Sequence, residues 1–123
     1  MALRGIRGAT VVEKDEPDQI LAATQELLRE IIDANPSLSS EDVASVIFSM
    51  TEDLKSVYPA KAARDMGWDK VPLFCTVEIP VPDSLEMCIR ILIHWNTEFP
   101  QIAVNHVYLG KATKLRPDFV KRV

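Results

Sequence analysis

Apolar residues recur at helical spacing in one long stretch of the chain. Pro17 and the acidic residues before it suit the start of a helix, and Asn35-Pro36 suits its end. Between these signals, apolar residues and one threonine recur at helical spacing along one face: Ile20, Leu21, Thr24, Leu27, Leu28, Ile31 and Ile32. This spacing predicts an amphipathic helix that lies on a sheet.

The rest of the chain carries strand-like runs rich in β-branched residues, separated by short helical signals. Strands are predicted over 3–13, 44–51, 71–79 and 87–96, with a final pair over 106–109 and 112–115 joined at Gly110. Short helical turns are predicted after Ser39, over 58–66 and after Pro100. This order predicts an α+β fold, and the absence of a repeat or long linker predicts one domain over 1–123.

Composition narrows the class of protein. Hydrophobic residues make up 47% and charged residues 26% of the 123 positions, which is typical of a folded globule. Apolar runs such as Ile91-Leu92-Ile93 are too short to cross a bilayer, and Met1-Ala2-Leu3-Arg4 lacks a secretory pattern, so a cytoplasmic location is expected. The formal charge is −4 and no basic stripe interleaved with aromatics is present, so neither nucleic acid nor membrane is an expected partner.

Metal or cofactor binding has no motif in this sequence. Cys75 and Cys88 lie in apolar runs, and His94 and His106 have no second ligand at metal spacing, so buried reduced thiols are expected. Gly5-Ile6-Arg7-Gly8 has neither phosphate-loop nor dinucleotide-binding spacing. We therefore expect neither a metal nor a cofactor.

Three arginines interrupt apolar, strand-like runs. They are Arg7, Arg90 and Arg116. A guanidinium is permanently charged, and hiding it is costly unless an anion meets it. The pattern predicts a pocket for an anionic small molecule.

Several motifs then occur in one order from about Leu3 to Asp118. They are Arg4-Gly5-Ile6-Arg7-Gly8-Ala9-Thr10, Pro59-Ala60-Lys61-Ala62 with Arg64, Val71-Pro72 followed by Cys75 and Glu78, Cys88-Ile89-Arg90, His106-Val107-Tyr108-Leu109, and Leu115-Arg116-Pro117-Asp118. In these motifs the chain resembles the monofunctional, trimeric chorismate mutases of the barrel-like type. The resemblance implies a mixed sheet with helices on its outer face, a homotrimer that forms a pseudo-α/β-barrel, and sites between subunits. It also implies the rearrangement of chorismate, a dianion, to prephenate, without a cofactor.

The resemblance also implies roles for individual residues. Arg90 would donate to the ether oxygen of the substrate, Arg7 would bind a carboxylate, and Glu78 would accept from the ring hydroxyl as a fixed anion. Tyr108 would add a hydroxyl donor, and Cys75 would contact the ring hydroxyl. The remaining implied contacts are walls or peripheral charges: Phe74, Tyr58, Ala60, Lys61, Arg64, Leu115 and Arg116.

The residues alone leave alternatives open. Glu78 and Arg90 could form a buried cross-strand ion pair without any function. A ligand-binding regulatory trimer could use the same arginine pocket without turnover, and an imine deaminase of similar fold would need Glu78 to titrate. Within the trimer, we expect Arg7 or Tyr108 to face Glu78 and Arg90 across a subunit boundary.

Overall fold

A computed structural model describes residues 1–119, the side chain of Phe119 excepted, so the domain expected over 1–123 extends past the described part. Within that part, five strands form one sheet and two α-helices pack against it. The strands are β1 (Ala2–Val11), β2 (Val43–Met50), β3 (Leu73–Val77), β4 (Cys88–Thr97) and β5 (Val107–Tyr108), and the helices are α1 (Pro17–Ala34) and α2 (Ala60–Asp65). Short 3₁₀ helices cover Ser40–Asp42, Gln101–Ala103, Gly110–Lys114 and Pro117–Phe119. The predicted α+β class and mixed sheet are confirmed.

The strands lie in the order β3-β2-β4-β1-β5. Strand β4 is central and antiparallel to both β1 and β2, whereas β3 pairs in parallel with β2 and β5 pairs in parallel with β1. Every strand is therefore held by a partner far away in sequence. The first strand, β1, thus lies between the central strand β4 and the edge strand β5.

Helix α1 covers one face of this sheet, as its apolar stripe predicts. Its buried residues are Ile20, Thr24, Leu27, Leu28 and Ile31. They pack beside Ile6, Phe48, Ile91, Ile93 and other core residues of the sheet. Each fully buried Leu or Ile contributes about 1.5–3 kcal/mol relative to leaving it exposed.

Gly8 lets the helix approach β1 closely. A Cβ atom at this position would lie 2.9 Å from both Ile31 Cδ1 and Ile91 Cγ2, closer than carbon atoms can pack. The lack of a side chain at Gly8 thus sets the spacing between α1 and the middle of the sheet.

The opposite face of the sheet, which we call the open face, carries no α-helix within residues 1–119, and the 3₁₀ helix Gly110–Lys114 packs on it at the β1–β5 end. Its central side chains are Arg7 and Ala9 of β1, Ile47 and Ser49 of β2, Phe74 and Thr76 of β3, Arg90 and Leu92 of β4, and Tyr108 of β5. Successive side chains alternate between the faces of a strand, so these residues all lie opposite the core. The open face is where charged and apolar side chains meet.

The hairpin predicted over 106–115 is wrong. Val107–Tyr108 forms a strand that pairs with β1, but Gly110–Lys114 is a 3₁₀ helix. Gly110 has a φ of 56° and turns the chain, after which Ala112 is buried in a small cluster with Ala9, Cys88 and Tyr108. Burial of Ala112 against the sheet replaces the expected second strand.

Two features typical of other classes of protein are absent from residues 1–119. No helix within 1–119 is long and apolar enough to span a membrane. In the same range, no three His, Cys, Asp or Glu side chains are grouped so that they could hold a metal ion.

Candidate active site

A cleft of about 260 Å³ lies on the open face. It is lined by Arg7, Gly8, Ile47, Ser49, Thr76, Glu78, Arg90, Ile91, Leu92 and Tyr108. Four of the residues to which the sequence assigns a binding or catalytic role, Arg7, Glu78, Arg90 and Tyr108, are therefore brought together. A larger hollow, about 1050 Å³, lies beside Leu115 but contains none of these four.

The floor of the cleft is one row of residues that crosses all five strands. Arg90 of β4 pairs with Ala9 of β1 on one side and with Ser49 of β2 on the other. The row continues from Ala9 to Tyr108 and from Ser49 to Thr76. Side chains directly opposite one another on adjacent strands are neighbours, so strand register alone places Tyr108, Arg90 and Thr76 in line.

Arg90 and Glu78 form an ion pair in the cleft. Arg90 Nε lies 3.4 Å from Glu78 Oε1, and each side chain is about a quarter exposed, at 28% and 25%. Arg90 Nε is buried and makes no hydrogen bond with any residue in 1–119. Nε is thus enclosed beside one carboxylate, and the terminal N–H groups of the guanidinium are the donors that remain for a ligand.

Ser49 holds the other oxygen of Glu78. Its hydroxyl donates a hydrogen bond to Glu78 Oε2, and the backbone N–H of Glu78 donates to the carbonyl of Met50 at 2.9 Å. Glu78 is therefore fixed through both its backbone and its carboxylate. The ion pair between Glu78 and Arg90 that the sequence allowed is present. It is not isolated in the core, because it borders a cleft and shares Glu78 with Ser49.

Tyr108 and Arg7 enter the cleft from β5 and β1. Burial raises the pKa of the Tyr108 phenol, while Arg7, Arg116 and Arg90 oppose that rise, so the hydroxyl stays protonated at neutral pH. Both residues belong to the same chain as Glu78 and Arg90. The expectation that Arg7 or Tyr108 faces Glu78 and Arg90 across a subunit boundary is therefore wrong, because the sheet register unites all four.

Cys75 does not reach this cleft. It alternates with Thr76 along β3, and its half-buried side chain packs against the main core on the helical side of the sheet. Thr76 lines the cleft instead. Phe74 shares the open face with Thr76 but lies outside the lining, with 66% of its surface exposed.

The residues expected on the second helix also lie apart from this cleft. Ala60 is buried in the core, whereas Tyr58, Lys61 and Arg64 are exposed. Lys61 pairs with Asp65 at 2.9 Å one helical turn away. Within one chain, α2 packs on the helical side of the sheet. The residues that lie away from Arg90 as a result are Tyr58, Ala60, Lys61 and Arg64.

Arg116 and Leu115 lie near the cleft in the C-terminal segment. Arg116 makes two bonds to the Asp118 carboxylate, at 3.0 and 2.7 Å, which raise the pKa of Arg116 and lower that of Asp118. Leu115 packs against the cluster that contains Tyr108. Leu115 therefore lies at the Tyr108 end of the cleft, and Arg116 is close enough to lower the pKa of the Tyr108 phenol.

Sequence reasoning missed Ser49, and it noted Thr76 only as a neighbour of Glu78. A signal for Ser49 is its polarity within the apolar run of β2, and Thr76 lies two residues before Glu78 on one strand face. Ile47 and Leu92 supply apolar walls that the sequence could not distinguish from core residues.

Comparisons with known proteins found one family model and several similar chains. The family model described as "Chorismate mutase type I" matches residues 3–119. The chorismate mutase AroH of Thermus thermophilus is 53% identical over 116 residues, covering 94% of this chain and 95% of the relative. The chorismate mutase AroH of Bacillus subtilis is 46% identical over 119 residues, with coverages of 96% and 93%. The solved structure of a chorismate mutase from Clostridium thermocellum superposes with a TM-score of 0.87 at 46% identity, covering 89% of this chain and 97% of that one.

Proposed function

This chain belongs to the chorismate mutase type I family and has the activity of that family, the conversion of chorismate to prephenate, and we propose that the reaction takes place in the cleft between Arg7, Glu78 and Arg90. The observation that carries the proposal is the convergence of two guanidiniums, one carboxylate and the Tyr108 hydroxyl in one cleft. A dianionic substrate with a ring hydroxyl offers groups that complement all four side chains.

The reaction is an intramolecular rearrangement in which a carbon–oxygen bond breaks before the new carbon–carbon bond is well formed. Negative charge develops on the ether oxygen and positive charge on the ring. No nucleophile and no proton transfer are needed. The protein therefore has to hold the substrate in its folded conformation and stabilise the separating charges with fixed groups.

Arg90 is the residue proposed to meet the ether oxygen. Its planar guanidinium can bridge that oxygen and a neighbouring carboxylate, which a point-charge lysine does less well. Support comes from the place of Arg90 in the cleft lining, where Glu78 lies 3.4 Å from Nε and leaves the terminal N–H groups to meet a substrate. Because the ether oxygen becomes anionic only in the transition state, this contact would accelerate the reaction and not merely tighten binding.

Glu78 is proposed to accept from the ring hydroxyl and to balance the positive charge on the ring. Its two fixed contacts, with Ser49 and with Arg90, keep the carboxylate in place before the substrate arrives. Arg7 is proposed to bind a substrate carboxylate, and the protonated Tyr108 to donate beside it. None of these roles requires a group to gain or lose a proton.

A homotrimer is proposed as the working assembly. Large apolar side chains are exposed in two separate places, at the β3 edge (Phe74, Val77, Ile79 and Val81) and near the start of β1 (Met1, Leu3, Phe99 and Ile102). Contact between two different surfaces is the arrangement that closes a ring of copies. In such a ring, Tyr58, Lys61 and Arg64 of one chain would border the cleft of the next. Cys75 or the Ala60 backbone of that same chain would lie beside them. The three sheets together would form the pseudo-α/β-barrel.

The proposed function is tested by incubating the purified protein with chorismate. We expect loss of its ultraviolet absorbance, with prephenate as the product identified by NMR. Because the chemistry asks only for fixed charges, a chelator should leave the rate unchanged, and turnover should be nearly flat from mildly acidic to mildly basic pH. A rate abolished by chelation and restored by zinc, or a bell-shaped profile centred near neutrality in the chemical step, would contradict the proposal.

A further inference from the structure

Side chains satisfy the outer edge of β1 at Gly5 and Arg7, ahead of the residues that pair with β5. The backbone of Gly5 exchanges two hydrogen bonds with the Gln101 amide, at 2.9 and 2.7 Å, and the carbonyl of Ala9 accepts from the Leu109 N–H at 2.9 Å. Between them, the backbone N–H of Arg7 donates to His106 Nδ1 at 2.9 Å. His106 thus replaces a strand carbonyl at the position that carries a cleft arginine.

The bond from Arg7 fixes the chemical state of His106. Because the Arg7 backbone N–H is the donor, Nδ1 of His106 must offer a lone pair as the acceptor. A neutral His106 imidazole must then carry its proton on Nε2. Protonation of Nδ1 would set two N–H groups against each other and open the edge of β1 at Arg7.

Charges around His106 favour the neutral form. Burial lowers the pKa of the His106 imidazole, and the guanidiniums of Arg7 on β1 and Arg116 in the C-terminal segment lower it further, while Asp118 acts in the opposite direction. Gln101 and Asn105, which border the same hollow, are neutral amides. The acceptor is therefore retained across the neutral pH range and lost only at acidic pH.

The backbone beside His106 is tied to the core. Asn35, buried at the end of α1, donates to the carbonyl of Asn105 at 2.9 Å and accepts from the Asn105 N–H at 3.0 Å. Asn105 in turn donates to the carbonyl of Ala34 at 2.8 Å. The imidazole thus acts from a fixed support, so its bond can define where the Arg7 backbone lies.

We propose that His106 is a positioning residue for Arg7: its Nδ1 holds the β1 backbone in place so that the Arg7 guanidinium enters the cleft and binds a substrate carboxylate. The inference rests on the proposed function of Arg7. It assigns His106 no contact with the substrate. Its effect acts on substrate binding, which Arg7 supports equally before and during the reaction.

Three variants test this role by steady-state kinetics with chorismate. His106→Leu removes the acceptor and should raise KM about tenfold while kcat changes less than about twofold. His106→Asn places an amide oxygen near the position of Nδ1 and should restore KM to within about threefold of the parent. Gln101→Leu is the matched control, because it frees the same edge of β1 at Gly5, which has no side chain in the cleft, and should leave KM unchanged.

The pH profile and the tautomer supply independent readouts. The parent KM should rise only at acidic pH, below the ordinary titration range of histidine, because the pKa of His106 is lowered, whereas His106→Asn should lack the part of this rise that is due to His106. The ¹⁵N signals of His106, identified by their loss in His106→Asn, should report a proton on Nε2 and none on Nδ1. A proton on Nδ1 at neutral pH would overturn the inference.

The kinetic outcomes also separate the inference from the function on which it rests. If Arg7→Ala leaves KM unchanged, the proposed substrate contact of Arg7 is wrong. If Arg7→Ala raises KM but folded His106→Leu does not, or if Gln101→Leu raises KM as much as His106→Leu, the positioning role of His106 is wrong. Thermal unfolding of each variant establishes that the kinetics are measured on folded protein.

Discussion

At the scale of single residues, the orientation of Glu78 depends on Ser49. The Ser49 hydroxyl is the donor to one carboxylate oxygen, and Arg90 lies beside the other. Ser49→Ala should therefore lower kcat/KM about tenfold or more, since a hydrogen bond to a charged group contributes about 1.5–3 kcal/mol. Steady-state kinetics with chorismate measure the change.

Ser45 provides the control for that substitution. It lies on the same strand and the same face as Ser49, and its hydroxyl is bonded to His94 at 2.8 Å, away from the cleft lining. Ser45→Ala should keep kcat/KM close to that of the parent. Equal losses in the two variants would mean that the hydroxyl of Ser49 has no specific effect on Glu78.

The sequence predicts the charged members of the cleft better than its neutral ones. Arg7 and Arg90 are detectable because a guanidinium in an apolar run is costly unless an anion meets it. Cys75 and Thr76 show the limit, because alternation predicts opposite faces for them but only the pairing of β3 with β2 decides which face meets the cleft. Ser49 is identified as a partner of Glu78 only once the same pairing is known.

At the scale of secondary-structure elements, local signals predict some segments well. Helix α1 has Pro17 in its first turn, a regular apolar stripe and Asn35 at its end, and it spans Pro17–Ala34 as expected. Residues 106–115 do not form the predicted hairpin, because the chain turns at Gly110 into a 3₁₀ helix that buries Ala112 against the sheet. The partner of β5 is β1, almost a hundred residues earlier, and no local pattern records that pairing.

At the scale of the whole molecule, we expect a trimer. Light scattering should give three times the 13.8 kDa chain mass, because the exposed apolar side chains at the β3 edge and near the start of β1 need cover. Ile79→Glu, at a side chain that is 80% exposed in the single chain, should dissociate the assembly and lower activity.

A charge introduced elsewhere is the control for this test. Ala22→Glu adds a carboxylate at an exposed position of α1 and should leave both mass and activity unchanged. A fully active monomer in the parent protein, or unaltered assembly and activity in Ile79→Glu, would contradict the proposed arrangement of subunits.

A fixed positive charge at Arg90 is proposed to stabilise the ether oxygen in the transition state, and the proposal depends on the kcat of Arg90→Ala. Loss of a strong donor to a developing anion costs about 3–4 kcal/mol, so kcat should fall by a factor of roughly 10² to 10³ while KM changes much less. Arg29→Ala, at an exposed site on α1, should keep the parent kcat. A near-normal kcat in folded Arg90→Ala, with a large loss of kcat in Arg7→Ala instead, would contradict the account.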